Sequence, residues 1–230
     1  MGSAIFIKGG LMRLKDIIKN VGLMINNSDV IRYVDEECKL QDFWLEEQEY
    51  EDQWIIEEWW NDGCFDDGTE ISADIYESVN LVVNLTNLVI NELACTYFPM
   101  VIEEQVSFSN GKAFYKDFSK KVVKILGVND QYGCSLEFID KAEYLYIPST
   151  INQTLTVKYQ YSPDNYTIMD VVGYSERAIS ARLIAYGVAS EYYIIQSDFE
   201  QAVMYHKRYL DEISLLTLPK NSKIKQRSWR

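Results

Sequence analysis

From Ser72 to Tyr115 the chain reads SADIYESVNLVVNLTNLVINELACTYFPMVIEEQVSFSNGKAFY, and two periods meet in it. Up to Phe98, the apolar residues Ile75, Val79, Val82, Val83, Leu85, Leu88, Val89, Leu93 and Ala94 recur three and four apart. That spacing gives one broad apolar side to a helix over about 72–98. Ser72 stands where an N-cap belongs, and Pro99 cannot continue the helix. Beyond Pro99 apolar and polar residues alternate, as in half-buried strands. The candidate strands are 105–109, 112–115, 122–129, 134–139, 143–147 and 155–161. Asn110-Gly111 is a type I′ hairpin signal, and 129–133 is a second turn. A helix followed by short strands at this spacing predicts an α+β chain carrying a compact antiparallel sheet, sandwich or barrel.

Downstream, Ser162-Pro163-Asp164-Asn165 ends the sheet. After a loop, Ser175 is the expected cap of a helix through Tyr193. Ala178, Ala181, Ala185 and Ala189 form a small-residue stripe on it, which lets another helix approach closely and suits packing between subunits. Ser197-Asp198-Phe199-Glu200 has capping-box spacing, so a last helix is expected from there to about Leu216, before Pro219. Upstream, 11–26 reads as an amphipathic helix through Leu14, Ile17, Ile18, Val21 and Leu23, and Asn27-Ser28-Asp29 as a break and a new cap. The expected architecture is therefore a small helical bundle, made of helix 72–98 and a C-terminal αα-hairpin. It has an inserted antiparallel β sheet or barrel and an acidic N-terminal helical arm. The corresponding divisions are 1–71, a helical core of 72–104 and 163–216, a β insert of 105–162, and a basic arm of 217–230.

The charges narrow the function classes. Against 35 Asp and Glu the 230-residue chain has 22 Lys and Arg, a net −13 that repels phosphate and argues against groove-type nucleic-acid binding. With 47% hydrophobic and 25% charged residues, wholesale disorder is excluded. No apolar stretch approaches the roughly 20 residues needed to span a bilayer, so no membrane is expected. Met1-Gly2-Ser3 begins like a myristoylation site, but Phe6 breaks the pattern. The start also lacks the charged region and apolar core of a signal peptide. Cys38, Cys64, Cys95 and Cys134 stand singly, as free thiols do in a reducing compartment, so synthesis in a cytoplasm without export is expected. Seventeen Tyr and five Trp suit either a Tyr-built core or surfaces buried against another subunit.

Between Asp35 and Glu70 fifteen acidic residues face a single Lys39, interleaved with Phe43, Trp44, Trp54, Trp59 and Trp60. Glu46, Glu47, Glu51, Trp54, Glu57, Glu58 and Trp59 are read as an interaction arm that docks on a basic neighbour or faces a channel; a solvated acidic loop is the alternative. Asp62 to Glu70 lacks the alternating oxygen ligands of a calcium loop, since Cys64 takes the third position. Lys116, Lys120, Lys121 and Lys124 could receive the acidic arm of a neighbouring copy, or simply guard an edge strand. The last eleven residues reverse the charge: Lys220, Lys223, Lys225, Arg227 and Arg230 surround Trp229 without an acid, and are read as an arm for an acidic partner, the portal or a neighbouring subunit; a frayed, disordered end and a weak DNA contact are the alternatives. His206 stands between Tyr205 and Lys207 with no nucleophile or ligand set in view, and no phosphate loop or metal motif occurs. No catalytic, cofactor or metal residue is expected.

Several stretches resemble small proteins of tailed-phage structural modules. They are Lys116-Asp117-Phe118-Ser119-Lys120-Lys121-Val122, Ile125-Leu126-Gly127-Val128, Tyr144-Leu145 and Val157-Lys158-Tyr159-Gln160-Tyr161-Ser162-Pro163. Tyr186-Gly187-Val188-Ala189-Ser190-Glu191-Tyr192-Tyr193-Ile194-Ile195-Gln196, Phe199-Glu200-Gln201-Ala202 and His206-Lys207-Arg208-Tyr209 belong with them. Over roughly 72–216 the chain is similar to head–tail connector proteins, or adaptors, of tailed bacteriophages. The resemblance implies a structural virion protein, made in the host cytoplasm and resident at the head–tail interface. It implies a homo-oligomeric ring, commonly of twelve copies, under the portal protein. Such a ring extends the DNA channel, passes double-stranded DNA without specific binding, and gives a tail or stopper protein its platform. It carries no catalytic residue across, and the acidic arm departs from compact adaptors. The alternatives are a stopper or tail-completion protein of the same module, a metal-dependent hydrolase using the acidic cluster, and an acidic DNA mimic. Titration calorimetry of the whole chain with Mg²⁺ or Ca²⁺ is expected to show no saturable site; a tight, saturable site would favour the hydrolase.

Overall fold

The computed structural model describes residues 11–35, 73–148, 152–175 and 178–217. A short strand β1 (Leu11–Arg13) runs straight into helix α1 (Leu14–Met24). Asn27 then caps a second helix, α2, described over 28–35: its Oδ1 accepts from the amides of Asp29 and Val30 at 3.0 and 3.1 Å. Helix α3 (Ala73–Glu92) closes in a π-helical turn, Leu93–Tyr97. Six strands follow: β2 (Met100–Ser107), β3 (Lys112–Phe114), β4 (Lys121–Asn129), β5 (Ile139–Asp140), β6 (Tyr144–Tyr146) and β7 (Thr154–Ser162). Strand β8 (Val171–Ser175) and helices α4 (Ala181–Ile195) and α5 (Phe199–Thr217) complete the described chain. The fold is mixed α+β, with small antiparallel sheets inserted between α3 and the C-terminal helix pair.

Of the sheet, sandwich or barrel expected, no closed barrel is present among the described residues. The insert instead holds two three-stranded antiparallel sheets, ordered β2-β7-β4 and β3-β6-β5. The Asn110-Gly111 turn is present, with φ of 51° and 71° and paired backbone bonds of 2.9 and 3.0 Å between Ser109 and Lys112. The strands it joins then part. β2 pairs with β7 from Met100↔Tyr161 to Ser107↔Thr154, whereas β3 pairs with β6. Of the expected strand 134–139 only its last residue enters a ladder, in β5. Two strands fall where none is expected, because β1 and β8 are short and pair only with each other, across the helical core.

Two caps also fall elsewhere than expected. Ser175 ends β8; the cap of α4 is Ser180, whose Oγ accepts from the Leu183 amide at 3.1 Å. Asp198, not Ser197, caps α5, accepting from Gln201 N at 3.2 Å. Ser197 sits at φ 60° and finishes α4, with Asp198 N bonded back to Tyr193 O at 2.9 Å.

One apolar core joins α1, α3, α4, β8 and α5; a second lies inside the insert around Leu145, Leu155, Val157 and Tyr159. Phe118 meets the Tyr159 ring edge-on at 5.2 Å, and the Tyr159 hydroxyl donates to Glu104 at 3.0 Å. A polar seam ties the cores together. Asn87 of α3 holds Tyr166 by both backbone groups, at 2.9 and 2.8 Å. Gln160 of β7 donates to the carbonyls of Ala94 and Cys95 in the π-turn, at 3.0 and 3.3 Å. With its π-turn, α3 (Asp74–Tyr97) has the length and mean hydropathy (1.2) of a membrane span, which the sequence reading does not register. Half of that window is buried inside the fold.

Gly187 fixes how closely the helices stack. A Cβ there would come within 2.8 Å of Val89 Cγ1 on α3 and 3.1 Å of the Tyr209 ring on α5, and both side chains are themselves buried. Gly187→Ala should lower stability by about 1–2 kcal/mol, overpacking outweighing the gain in helix propensity. Urea unfolding of the variant measures it.

Candidate partner-binding surface

Sequence singles out three groups of side chains for partner contact. The acidic arm residues Glu46, Glu47, Glu51, Trp54, Glu57, Glu58 and Trp59 lie outside the described residues. So do Lys220, Lys223, Lys225, Arg227, Trp229 and Arg230. The alanine stripe is described, and it is divided. Ala185 and Ala189 are fully buried in the chain's own core, Ala181 is half-buried, and Ala178 is exposed ahead of the helix. The close approach these alanines permit is thus used at Ala185 and Ala189 by α4 inside this chain, not between subunits.

The lysines of the insert are not gathered into one acceptor. Lys120 pairs with Asp164, and Lys116 stands 5.5 Å over the Phe114 ring. Lys121 and Lys124 are exposed on β4, an edge strand of its sheet. β4 carries two bulges, and the residues left out of the ladder, Val123 and Leu126, are both exposed. Bulges and lysines together keep an edge from pairing with another strand. The Lys120–Asp164 pair lines a cleft of about 280 Å³ with Tyr161, Tyr166 and Asp170. Its polar groups are already engaged: Asp170 accepts from Thr167 N and Oγ1 at 2.6 and 2.9 Å, and the Tyr166 hydroxyl accepts from Gly173 N at 3.2 Å.

The surface that sequence reading misses is the outside of the C-terminal hairpin. Its inner side is set by Ala202, Tyr209 and Ile213, all buried. Ser190 Oγ donates to Ala202 O at 3.1 Å, and the Tyr209 hydroxyl to Glu92 at 3.2 Å. One flank is a ladder of arginines and tyrosines. Arg182 Nε donates to the Tyr186 hydroxyl at 2.6 Å, and the Arg208 guanidinium stands 5.9 and 5.6 Å from the Tyr186 and Tyr205 rings. Tyr205 stacks on Tyr193 at 5.6 Å, and both hydroxyls donate to Met24 O at the end of α1. Outside this frame, Ile194, Ile195, Phe199, Val203 and Leu210 are exposed; Phe199 and Val203 leave 65% and 69% of their surface open. The signal in the sequence is Phe199, Val203 and Leu210 at four- and seven-residue spacing, off the side that Ala202, Tyr209 and Ile213 bury.

His206 is exposed on α5 with its ring 6.3 Å from that of Tyr209. Among the described residues, no three His, Cys, Asp or Glu side chains gather as a metal site would require. Apart from Lys120, raised by its hydrogen bond to Asp164, the perturbed groups are phenols. Burial, reinforced by the Glu92 carboxylate, pushes Tyr209 well above its ordinary 10.0, and burial does the same for Tyr174. Neither a family model nor a curated protein matches the chain.

These phenols set an alkaline limit. Below pH 10 both the folded and the unfolded chain hold the protons, so the tyrosine contribution to stability is intact. Above it the unfolded chain releases protons that the folded chain retains, so stability falls as pH rises. The urea midpoint should decline from about pH 10 upward, and Tyr209→Phe should make that decline shallower, as titration of unfolding between about pH 8 and about pH 11 will read.

Proposed function

We propose that the chain is a structural virion protein, a head–tail connector that forms a ring beneath the portal of a tailed bacteriophage. The observation that carries the reading is the outer side of the C-terminal hairpin: large apolar side chains stand exposed on helices locked from behind, as a protein built for permanent contacts presents them. The resemblance of 72–216 to connector proteins supplies the class of assembly. The charge of −13 supports a channel wall past which DNA slides, since like charge disfavours condensed contacts with phosphate. The basic end, Lys220 to Arg230, follows α5 in sequence and complements acidic surface on a portal or a neighbouring copy. Repeated head-to-tail contacts of this kind close into rings when the rotation permits. The ring, its place in the virion and its portal and tail partners all belong to this proposal, as does a stopper position for the same chain.

Two measurements test it. Electron-microscope images of the largest species of the purified protein, alone or with portal protein, should show a closed ring with a central hole. Removing residues 218–230 should abolish portal docking, read by co-sedimentation, while leaving the circular-dichroism spectrum unchanged. Docking by the truncated chain would remove the arm from the portal contact. A full-length chain that binds a connector ring but no portal would be a stopper.

A further inference from the structure

We infer that the solvent side of the β3-β6-β5 sheet, where lysines and aromatic rings alternate, is the surface on which the chain's own acidic segment, 36–72, docks. The inference goes beyond the assembly reading and does not depend on it. The four lysines singled out from sequence are dispersed, but this sheet gathers a different set. Ala113 and Leu145 are paired and buried in the second core, so their neighbours along each strand stand on the other side. There Lys112 lies opposite Tyr146, and Phe114 opposite Tyr144. On the third strand Ile139 lies opposite Tyr146. Lys141, whose amide donates to Tyr144 O at 3.1 Å, extends the other row. Lys112 Nζ stands 5.0 Å over the Tyr144 ring, and Lys116 Nζ 5.5 Å over Phe114. Phe114 and Tyr144 meet edge to face at 5.9 Å. Phe114 and Ile139 are exposed, and the half-buried Tyr144 and Tyr146 pack on neither core. Among the described residues none of Lys112, Lys116 and Lys141 has an ion-pair partner. The nearby acids stand off this side: Asp140 shares the register of Leu145 and accepts from the Tyr115 hydroxyl, Glu143 lies in the turn between β5 and β6, and Asp117 ends a 3-10 turn.

Charge and reach argue for this occupant. Outside 35–70 the chain has 21 Lys and Arg against 20 Asp and Glu, so its excess negative charge is concentrated in that one segment. A second copy brings the same excess and is repelled; a segment already tethered to the body meets the lysines at high local concentration. Ammonium groups cover the Tyr144 and Phe114 rings, so the bases of a nucleic acid do not find the bare stacking platform they need. Carboxylates of the segment can bond the lysines while Phe43, Trp44 and Tyr50 meet the ring edges. The segment also begins close by. β1, which leads into α1, pairs with β8, and Tyr174 of β8 donates to Phe98 O at 2.9 Å, just ahead of β2. α2 runs back along α1, since Gly22 lies against Val30 and Ile31 and Lys19 pairs with Asp35. Asp35 is thus within about two helical turns of the joint between helices and insert. The β3 strand stands beside the outer half of β2: Lys112 N bonds to Ser109 O at 3.0 Å, and Ser119 N to Glu104 at 3.2 Å. The whole of β2, eight residues, measures about 27 Å. A dozen extended residues cover about 40 Å, which brings 42–51 onto the sheet and leaves the rest of the segment to return to Ala73.

Tryptophan fluorescence tests the inference on the full chain. With Trp229→Phe as the parent, the four remaining tryptophans all lie in the segment, so acrylamide quenching reads its exposure alone. Lys112→Glu combined with Lys141→Glu changes two exposed positions and should leave the circular-dichroism spectrum unchanged. It should raise the quenching constant at least twofold. Salt at about 0.5 M should do the same to the parent by screening the charges, with no substitution at all. Lys121→Glu combined with Lys124→Glu, on the exposed edge β4, is the control and should quench as the parent does. The parent's quenching constant should not change with protein concentration, as contact within one chain requires. An unchanged constant in the Lys112→Glu, Lys141→Glu variant, or an equal rise in the control, would overturn the docking and leave the ring reading in place. A parent whose quenching rises on dilution would place the segment on another copy and overturn the contact within the chain. Binding of a labelled single-stranded oligonucleotide that the variant loses, with quenching unmoved, would give the sheet to nucleic acid instead.

Discussion

Everything in the helical half depends on a missing side chain. Gly187 lets α4 lie against α3 on one side and α5 on the other, with Val89 and the Tyr209 ring converging where a Cβ would stand. The alanines Ala185 and Ala189 extend the same thin surface along α4. Because the helices come so close, the Tyr209 hydroxyl reaches Glu92 and Ser190 reaches the Ala202 carbonyl. The apolar contacts and the satisfied polar groups are thus one arrangement, and neither survives a wider spacing.

A rigid inner side has a consequence for the outer one. Docking costs less conformational entropy when the docking helix is already fixed. In α5 the fixing is unusually complete: buried residues below, the arginine–tyrosine ladder along one flank, Asp198 at its start. The insert is held as firmly but by other means. Asn87 and Gln160 use hydrogen bonds, where the helices use packing, to fix β7 and the segment after it to α3. Such polar seams are directional, so the insert has one orientation on the helices rather than a range of them.

Much of this is legible in the sequence, and the failures have identifiable causes. The apolar period of 72–98 gives α3, and the Asn110-Gly111 pair gives its turn. The turn does not say which strands pair beyond it, because β7 offers both β2 and β4 a longer ladder than β3 offers either. Ser175 and Ser197 look like caps because the residue type is right; the positions are taken by Ser180 and Asp198, where the backbone turns into the helix. Asn87 and Gln160 look like surface residues, since their partners lie 79 and 66 residues away. The alanine stripe shows that two helices come close, but spacing alone does not tell a neighbour in the same chain from one in another. The exposed stripe of α5 escapes notice for the converse reason: a spacing of four and seven is what a core-facing helix side also shows.

The order of the sheet β2-β7-β4 sets a timetable for synthesis. Neither β2 nor β4 pairs with the other; both wait for β7, and Met100 meets Tyr161 across sixty intervening residues. A ribosome delivering the chain from its N-terminus therefore releases two long unpaired edges before the strand that joins them exists. α3, emerging earlier still, follows α1 but waits longer for α4, which comes after β7. Long-range closure of this kind makes folding slow, and the two β4 bulges and the lysines beside them guard one of those edges during the delay.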